Sequence, residues 1–121
     1  MHRGGIPAYM PQTLDRKCYR IALENCSMAV PWYLMACVAY DKYDEPIISD
    51  DMFDWLSRYM ADNWDKIDHW HKYLITMPED RSQFKGSVLA INVNIDDLPS
   101  RILCATEYAI ANIRKLIDAV E

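Results

Sequence analysis

Glycine is scarce in this sequence, with three among 121 residues. That scarcity excludes the glycine-rich loops with which many nucleotide-binding proteins hold phosphate groups. Long apolar runs are missing too, and no stretch reaches the roughly 18 residues that a membrane-spanning helix needs. The N-terminal stretch MHRGGIPAYMP lacks the apolar core of a signal peptide. We therefore expect a cytoplasmic protein with no membrane partner, and the initial methionine suggests a small stand-alone protein.

Clusters of basic residues are also absent. Lysine and arginine number 13 against 18 aspartates and glutamates, so the formal net charge is −5. A protein that binds nucleic acid needs a basic surface to displace counterions, so we expect no nucleic-acid partner. The four cysteines form no Cys-x-x-Cys pair and fall on apolar helix faces, which predicts free, buried thiols. They are Cys18, Cys26, Cys37 and Cys104.

The composition is that of a folded globular domain. Apolar residues make up 51% of the chain and aromatic residues 12%, and this length is typical of one domain with a real core. Residues 1–12 read as an N-terminal tail and residues 13–121 as a single helical domain. The pattern predicts an all-α fold, a compact bundle of about four helices. One irregular segment, a short strand or an extended loop, is expected near 76–96.

Apolar spacing and proline positions predict the helices. The expected helices are Thr13 to about Ala29, Val30 to Tyr43, Asp50 to about Asn63 with a continuation to Leu74 or Ile75, and one capped by Asp96 or Asp97 with Pro99 in its first turn. The second helix is apolar nearly all round, which predicts that it is central and buried.

The last predicted helix, 99–121, carries a wide apolar stripe. It runs through Ile102, Thr106, Ala109, Ile113, Leu116 and Val120, with Leu103, Ile110 and Ile117 as a second row. One interpretation is that the other helices of the chain cover it. The alternative, on which we base a predicted homo-oligomer, is that a second copy covers part of it.

The most informative stretch is Tyr40 to Leu56. Proline cannot continue a helix, so Glu45-Pro46 ends the second one. Ser49 is a typical N-cap for the third helix. Asp50, Phe53 and Asp54 then share one helix face, because residues three and four apart are neighbours on a helix. Two carboxylates and an aromatic ring on one face suit a polar, ring-bearing ligand.

This stretch resembles the N-terminal domain of bacterial NAD-dependent DNA ligases. The shared pattern is Tyr40, Asp44-Glu45-Pro46, Ile48-Ser49-Asp50, Phe53-Asp54 and Leu56. The resemblance implies a small helical domain that binds the nicotinamide mononucleotide (NMN) half of NAD. It implies that Tyr40 and Phe53 stack on the nicotinamide ring, and that Asp50 and Asp54 form hydrogen bonds with the ribose or the carboxamide. Asp41 and Tyr43, beside Tyr40, complete the predicted ligand-binding set.

Three positions depart from the ligase pattern. Where the family has histidine or tyrosine after the first tyrosine, this chain has Asp41, which would repel a phosphate rather than neutralise it. Where the family has a glutamate that closes a capping box with the serine, this chain has Met52. Phe53 lacks the phenol hydroxyl that a tyrosine would offer.

The ligase nucleophile is missing, because no Lys-x-Asp-Gly motif is present and Lys85 reads as a loop lysine. We therefore expect a non-catalytic nucleotide-binding protein that needs no cofactor and binds NAD, NMN or a related signal, including a cyclic nucleotide. Stand-alone proteins that resemble this ligase domain occur in bacteriophages, so the resemblance extends to sequestering a host defence signal in the host cytoplasm.

Two other functions stay open. One is an interaction or assembly adaptor that kept the fold and lost the ligand. The other is a hydrolase of NAD or a related nucleotide that uses Asp50 or Asp54. A metal site is not predicted, since Asp65 and His69 supply only two ligands and His71 falls on a different helix face.

Overall fold

The structure is a computed structural model that describes the backbone of residues 13–120 and the side chains of residues 13–115. Its α-helices are α1 (Asp15–Glu24), α2 (Ala29–Asp41), α3 (Asp50–Asp62) and α4 (Ser100–Val120). Short 3₁₀ turns and loops connect them, and the described part of the chain contains no β-strand. The predicted all-α bundle of four helices is therefore confirmed. The expected tail, 1–12, lies outside the described residues.

Helix α2 forms the centre of the bundle, as its sequence predicts. Of its residues, Met35 is half-buried, Tyr40 and Asp41 are exposed, and the others are buried. Pro31 stands in the first turn, where a missing amide hydrogen costs no helical hydrogen bond. Helices α3 and α4 both pack against α2, so an apolar helix surface is covered on several sides.

Helix α1 is shorter than predicted. It ends at Glu24, and Asn25 has extended backbone angles. The Asn25 side chain accepts a hydrogen bond from the Ser27 amide at 3.1 Å, and a 3₁₀ turn follows over Cys26–Met28. Asparagine side chains compete in this way with helical hydrogen bonds, so the expected continuation to Ala29 is wrong.

Helix α3 begins where the sequence predicts and ends earlier than expected. The Ser49 hydroxyl accepts a hydrogen bond from the Met52 amide at 3.1 Å, which makes it the N-cap. At the other end, the Asn63 side chain donates to the Tyr59 carbonyl at 2.8 Å. The chain then turns through Trp64–Lys66 and becomes extended at Ile67. The predicted continuation to Leu74 or Ile75 is wrong because Asn63 terminates the helix.

The segment between α3 and α4 is irregular, which resolves the choice between strand and loop. Ile75 and Ile91 form one isolated antiparallel bridge. Beside it, the Thr76 amide donates to the Ala90 carbonyl at 2.7 Å, and the Asn92 amide donates to the Leu74 carbonyl at 2.9 Å. These bonds close the segment into a loop that folds back on itself.

Helix α4 starts at Ser100, so neither Asp96 nor Asp97 is its cap. The Pro99 carbonyl accepts the first bonds, from the Ile102 amide at 2.9 Å and the Leu103 amide at 3.3 Å. Asp96 instead forms an ion pair with Lys42 on α2's C-terminal side, at 2.5 Å. Residues 95–97 form a separate 3₁₀ turn, because Ile95 is buried in the core.

The apolar stripe of α4 packs within the chain over its described side chains. The buried members are Ile102, Thr106, Ala109, Ile110 and Ile113, and α2 is the helix that contacts α4 most. The side chains of Leu116, Ile117 and Val120 lie outside the described residues. A homo-oligomer through the 99–121 helix stays a prediction.

All four cysteines are free. Cys18 and Cys37 are buried and Cys26 is half-buried, but Cys104 is exposed, so the prediction of buried thiols is wrong at Cys104. That residue lies two positions after the buried Ile102 and therefore points away from the core. Over the described residues, no helix is both long enough and apolar enough to cross a bilayer.

Candidate functional site

A cavity of about 260 Å³ opens between the end of α2, the start of α3 and the loop at 86–88. Its lining combines helix and loop residues that are far apart in sequence. They are Ala36, Cys37, Tyr40, Asp41, Pro46, Ile47, Ile48, Asp50, Phe53, Gly86, Ser87 and Val88. The predicted motif thus supplies one side of the cavity, and the irregular segment supplies the other.

The floor of the cavity is apolar and uncharged. Ala36, Ile47 and Ile48 are buried there, together with Cys37. Burial raises the pKa of the Cys37 thiol to about 12. The thiol is therefore neutral near pH 7 and is not an activated nucleophile.

A buried carboxylate positions the start of α3, and the sequence analysis missed it. Asp15, in the first turn of α1, is 2% exposed. Its carboxylate accepts hydrogen bonds from the Ser49 amide at 2.8 Å and the Ser49 hydroxyl at 2.7 Å. Because the same hydroxyl caps α3, Asp15 ties α1 to the helix start that carries Asp50 and Phe53. In a sequence, an acid in the first turn of a helix is already explained by its favourable interaction with the helix dipole. No sequence signal therefore pointed to this contact.

Tyr33 holds the loop that forms the opposite wall. Its hydroxyl donates to the Ser87 carbonyl at 2.7 Å and accepts from the Ser87 amide at 2.9 Å. Its ring stacks on Phe53, with 5.3 Å between centroids and 19° between planes. One fully buried tyrosine therefore fixes both the loop and the aromatic wall. A buried tyrosine hydroxyl needs a partner, which was the available signal for its role.

The mouth of the cavity is polar and acidic. Tyr40 is 66% exposed, and Asp41, Pro46 and Asp50 are also exposed. Among the residues that the structure describes, the lining contains two carboxylates and no lysine, arginine or histidine. A ligand with an apolar ring and outward hydrogen-bond donors fits this distribution.

The turn that follows α2 brings the mouth residues to face α3. Asp44 adopts φ of 52°, in the left-handed region that non-glycine residues rarely enter. The Glu45 amide then donates to the Ala39 carbonyl at 3.0 Å, which satisfies a carbonyl at the helix end. The chain can thereby reverse within a few residues and return to the core at Ile47.

Four of the six residues predicted to bind a ligand line this cavity: Tyr40, Asp41, Asp50 and Phe53. The other two do not. Tyr43 donates a hydrogen bond to Glu107 on α4 at 2.5 Å, which raises the pKa of its phenol. Asp54 is exposed on α3 and is not part of the lining.

His69 and His71 form a separate cluster outside the lining of the cavity. The rings of His69 and His71 lie 5.3 Å apart, and the His69 Nδ1 accepts a hydrogen bond from the His71 amide. Asp65 instead forms an ion pair with Arg81 at 2.5 Å, which lowers its pKa. Over the part of the chain that the structure describes, no three metal-ligating side chains are grouped to hold an ion.

The cavity's two sides come from separate parts of the chain, one carrying the Tyr40-to-Leu56 motif and the other the loop at 86–88. No family model, no curated protein and no solved structure matches this chain.

Proposed function

We propose that this protein binds a small nucleotide of the NAD type, such as NAD, NMN or a signal derived from NAD, without turning it over. One observation carries the proposal. Tyr40, Asp41, Asp50 and Phe53, singled out by their likeness to the ligase motif, line one cavity with an apolar floor. An apolar cavity with a few polar groups at its mouth is a usual form of small-molecule site.

The size of the cavity limits what it encloses. About 260 Å³ is below the roughly 300–1,000 Å³ of sites that bury most of a drug-sized ligand. A single ring with its nearest substituent fits that volume, and the remainder of a dinucleotide would extend past the mouth. The ring would contact Phe53, and its polar substituents would reach Asp41 or Asp50.

Binding without turnover is supported by the state of the cysteine in the lining. Burial raises the pKa of the Cys37 thiol to about 12, so this thiol is neutral near pH 7 and is not an activated nucleophile. The proposal assigns the carboxylates of the lining to hydrogen bonding with the ligand. Sequestration of a host nucleotide by a phage protein is the biological extension of the ligase resemblance.

Calorimetric titration with NAD, NMN, ADP-ribose and cyclic dinucleotides tests the proposal. We expect saturable binding of at least one compound and no new product by chromatography after the same incubation. Asp50→Asn should weaken that binding about tenfold or more, because a hydrogen bond to a charged group contributes about 1.5–3 kcal/mol.

The chain offers a matched control. Asp54→Asn makes the same chemical change one helical turn along α3, outside the lining, so it should leave the affinity within about threefold of the wild type, as exposed charges interact weakly. Equal losses for both variants would contradict the assigned site. No binding of any of these compounds would contradict the proposed function, and product formation would point to the hydrolase instead.

A second function, the interaction adaptor, is favoured by one surface feature. Four apolar or aromatic side chains in the segment between α3 and α4 are exposed: Trp70, Tyr73, Leu89 and Val93. Leu89 is 91% exposed, so its side chain is accessible to a partner protein. Affinity capture with the wild type and with Leu89→Ser tests this: an adaptor loses its partner in the variant.

A further inference from the structure

We infer that the cavity selects an unphosphorylated aromatic cation, of the class of pyridinium nucleosides, over the same compound carrying a 5′-phosphate. The inference rests on the proposed function and narrows its ligand. The ligase resemblance alone implies a phosphorylated ligand, whereas the charges around this cavity favour a cation.

The first observation is the sign of the charge at the mouth. Asp41 and Asp50 are the ionisable acids of the lining, and both are exposed at its opening. Their carboxylates attract a positive ring and repel a phosphate. Opposite unit charges about 6 Å apart change an affinity by roughly threefold in bulk water and by roughly a hundredfold at an effective dielectric constant of about 20, so a change of about tenfold is expected for carboxylates exposed at the mouth.

The second observation concerns two cations that lie close to the lining, each of which already faces a carboxylate of its own. Lys42, next to Asp41 in the chain, forms an ion pair with Asp96 at 2.5 Å. Arg114 forms an ion pair with Glu45, beside the lining residue Pro46. Neither cation belongs to the described lining, so neither of these two neutralises the carboxylates at the mouth.

The third observation concerns the backbone amides that hold phosphates in many proteins. A helix N-terminus attracts anions because its first amides lack partners. At the start of α3 the Met52 amide donates to the Ser49 hydroxyl at 3.1 Å, so one of these first amides already has a partner. The first turn also carries the lining residue Asp50, whose charge opposes the approach of another anion.

The fourth observation is the aromatic and apolar part of the site, which accepts a ring. Ile47 and Ile48 provide an apolar floor, and Phe53 and the exposed Tyr40 place aromatic rings beside it. Aromatic faces attract organic cations through the ring quadrupole. The aromatic rings and the carboxylates therefore both raise the affinity for a flat cation. Only the aromatic rings raise the affinity for a neutral aromatic ligand.

Four matched compounds test the inference by calorimetry at low salt, where surface charges are least screened. They are nicotinamide riboside, NMN, reduced nicotinamide riboside and 1-methylnicotinamide. The first pair differs by a phosphate, and the first and third differ in ring charge. We expect nicotinamide riboside to bind about tenfold or more tightly than either NMN or its own reduced form. Comparable binding of 1-methylnicotinamide would support the inference, since the ring and its charge would then suffice.

Charge-neutralising variants identify the residues responsible. The double variant Asp41→Asn, Asp50→Asn should bring the affinities for nicotinamide riboside and NMN to within about threefold of each other, since both repelling carboxylates are gone. Asp54→Asn should keep most of the wild-type preference, because this acid lies outside the lining. Lys85→Ala tests whether the exposed lysine that precedes the wall residue Gly86 attracts the phosphate of NMN.

The outcomes separate this inference from the proposed function. If NMN binds as tightly as nicotinamide riboside or more tightly, the inference is wrong and the proposed function stands. The inference is likewise wrong, and the proposed function stands, if the wild type prefers NMN and Lys85→Ala abolishes that preference. If reduced and oxidised nicotinamide riboside bind with equal affinity, the inference that the cavity selects a cation is wrong. If none of the four compounds and none of the NAD-type nucleotides binds, both proposals fail.

Discussion

At the scale of single residues, the width of the cavity depends on Gly86. A Cβ atom at this position would overlap the Ser57 hydroxyl and come within 2.9 Å of Phe53 Cε2. The loop thus lies directly against α3, next to the ring that forms the aromatic wall. Only a residue without a side chain permits this approach.

We predict that Gly86→Ala lowers the free energy of unfolding by about 1–3 kcal/mol, because overpacking displaces the loop or the helix. Urea denaturation followed by circular dichroism measures the change. Adding Ser57→Ala removes the nearest clashing atom and should recover part of the loss. Ser57→Ala alone is the control, since it also removes the hydrogen bond to the Phe53 carbonyl. A Gly86→Ala protein as stable as the wild type would show that the loop moves freely.

Among the elements, the junction between α1 and α3 depends on one side chain. Asp15 is buried in the first turn of α1 and accepts two hydrogen bonds from Ser49, the residue that caps α3. The contact joins positions 34 residues apart in the chain. Through this contact, the position of α1 helps to fix the position of α3, which carries part of the candidate site.

We predict that Asp15→Ala destabilises the protein by about 1–3 kcal/mol, because it leaves the part-buried Ser49 amide without its acceptor. Asp15→Asn should cost clearly less. An asparagine oxygen can accept from the Ser49 amide while its NH₂ group donates to the serine hydroxyl. Thermal unfolding of both variants distinguishes them. Equal losses would indicate that the charge of Asp15, and not its hydrogen-bond geometry, stabilises the junction.

For the whole molecule, stability should depend on pH through the histidine cluster. Partial burial lowers the pKa of His69, and the neighbouring His71 lowers it further, while Asp68 opposes the shift. A histidine with a lowered pKa binds fewer protons folded than unfolded. Stability is therefore highest above the unfolded value of about 6.5 and falls as the pH drops through it.

We predict that the melting temperature of the wild type falls between pH 7.5 and pH 5, and that His69→Asn falls less over the same interval. Asparagine keeps an acceptor for the His71 amide but does not titrate in this range. Scanning calorimetry at several pH values measures both curves. Parallel curves for the two proteins would show that other groups, and not His69, produce the pH dependence.

Much of the architecture was predictable because it rests on local rules. The buried α2 follows from a nearly uninterrupted apolar run, and the start of α3 follows from Pro46 and the Ser49 cap. The helix ends were less predictable. Asn25 and Asn63 stop α1 and α3 through their own side chains, a competition that apolar periodicity does not reveal.

Local sequence patterns are enough to predict a helical chain, a central α2 and a turn that brings Tyr40 and Asp41 toward Asp50 and Phe53, because neighbouring residues decide those features. The cavity at this turn could be found only from the folded chain, because its far wall is a loop held by Tyr33 through Ser87, 54 positions away. The tertiary structure also decided that Asp54 and Tyr43 lie outside the lining. Packing selects such distant partners, and no local pattern encodes them.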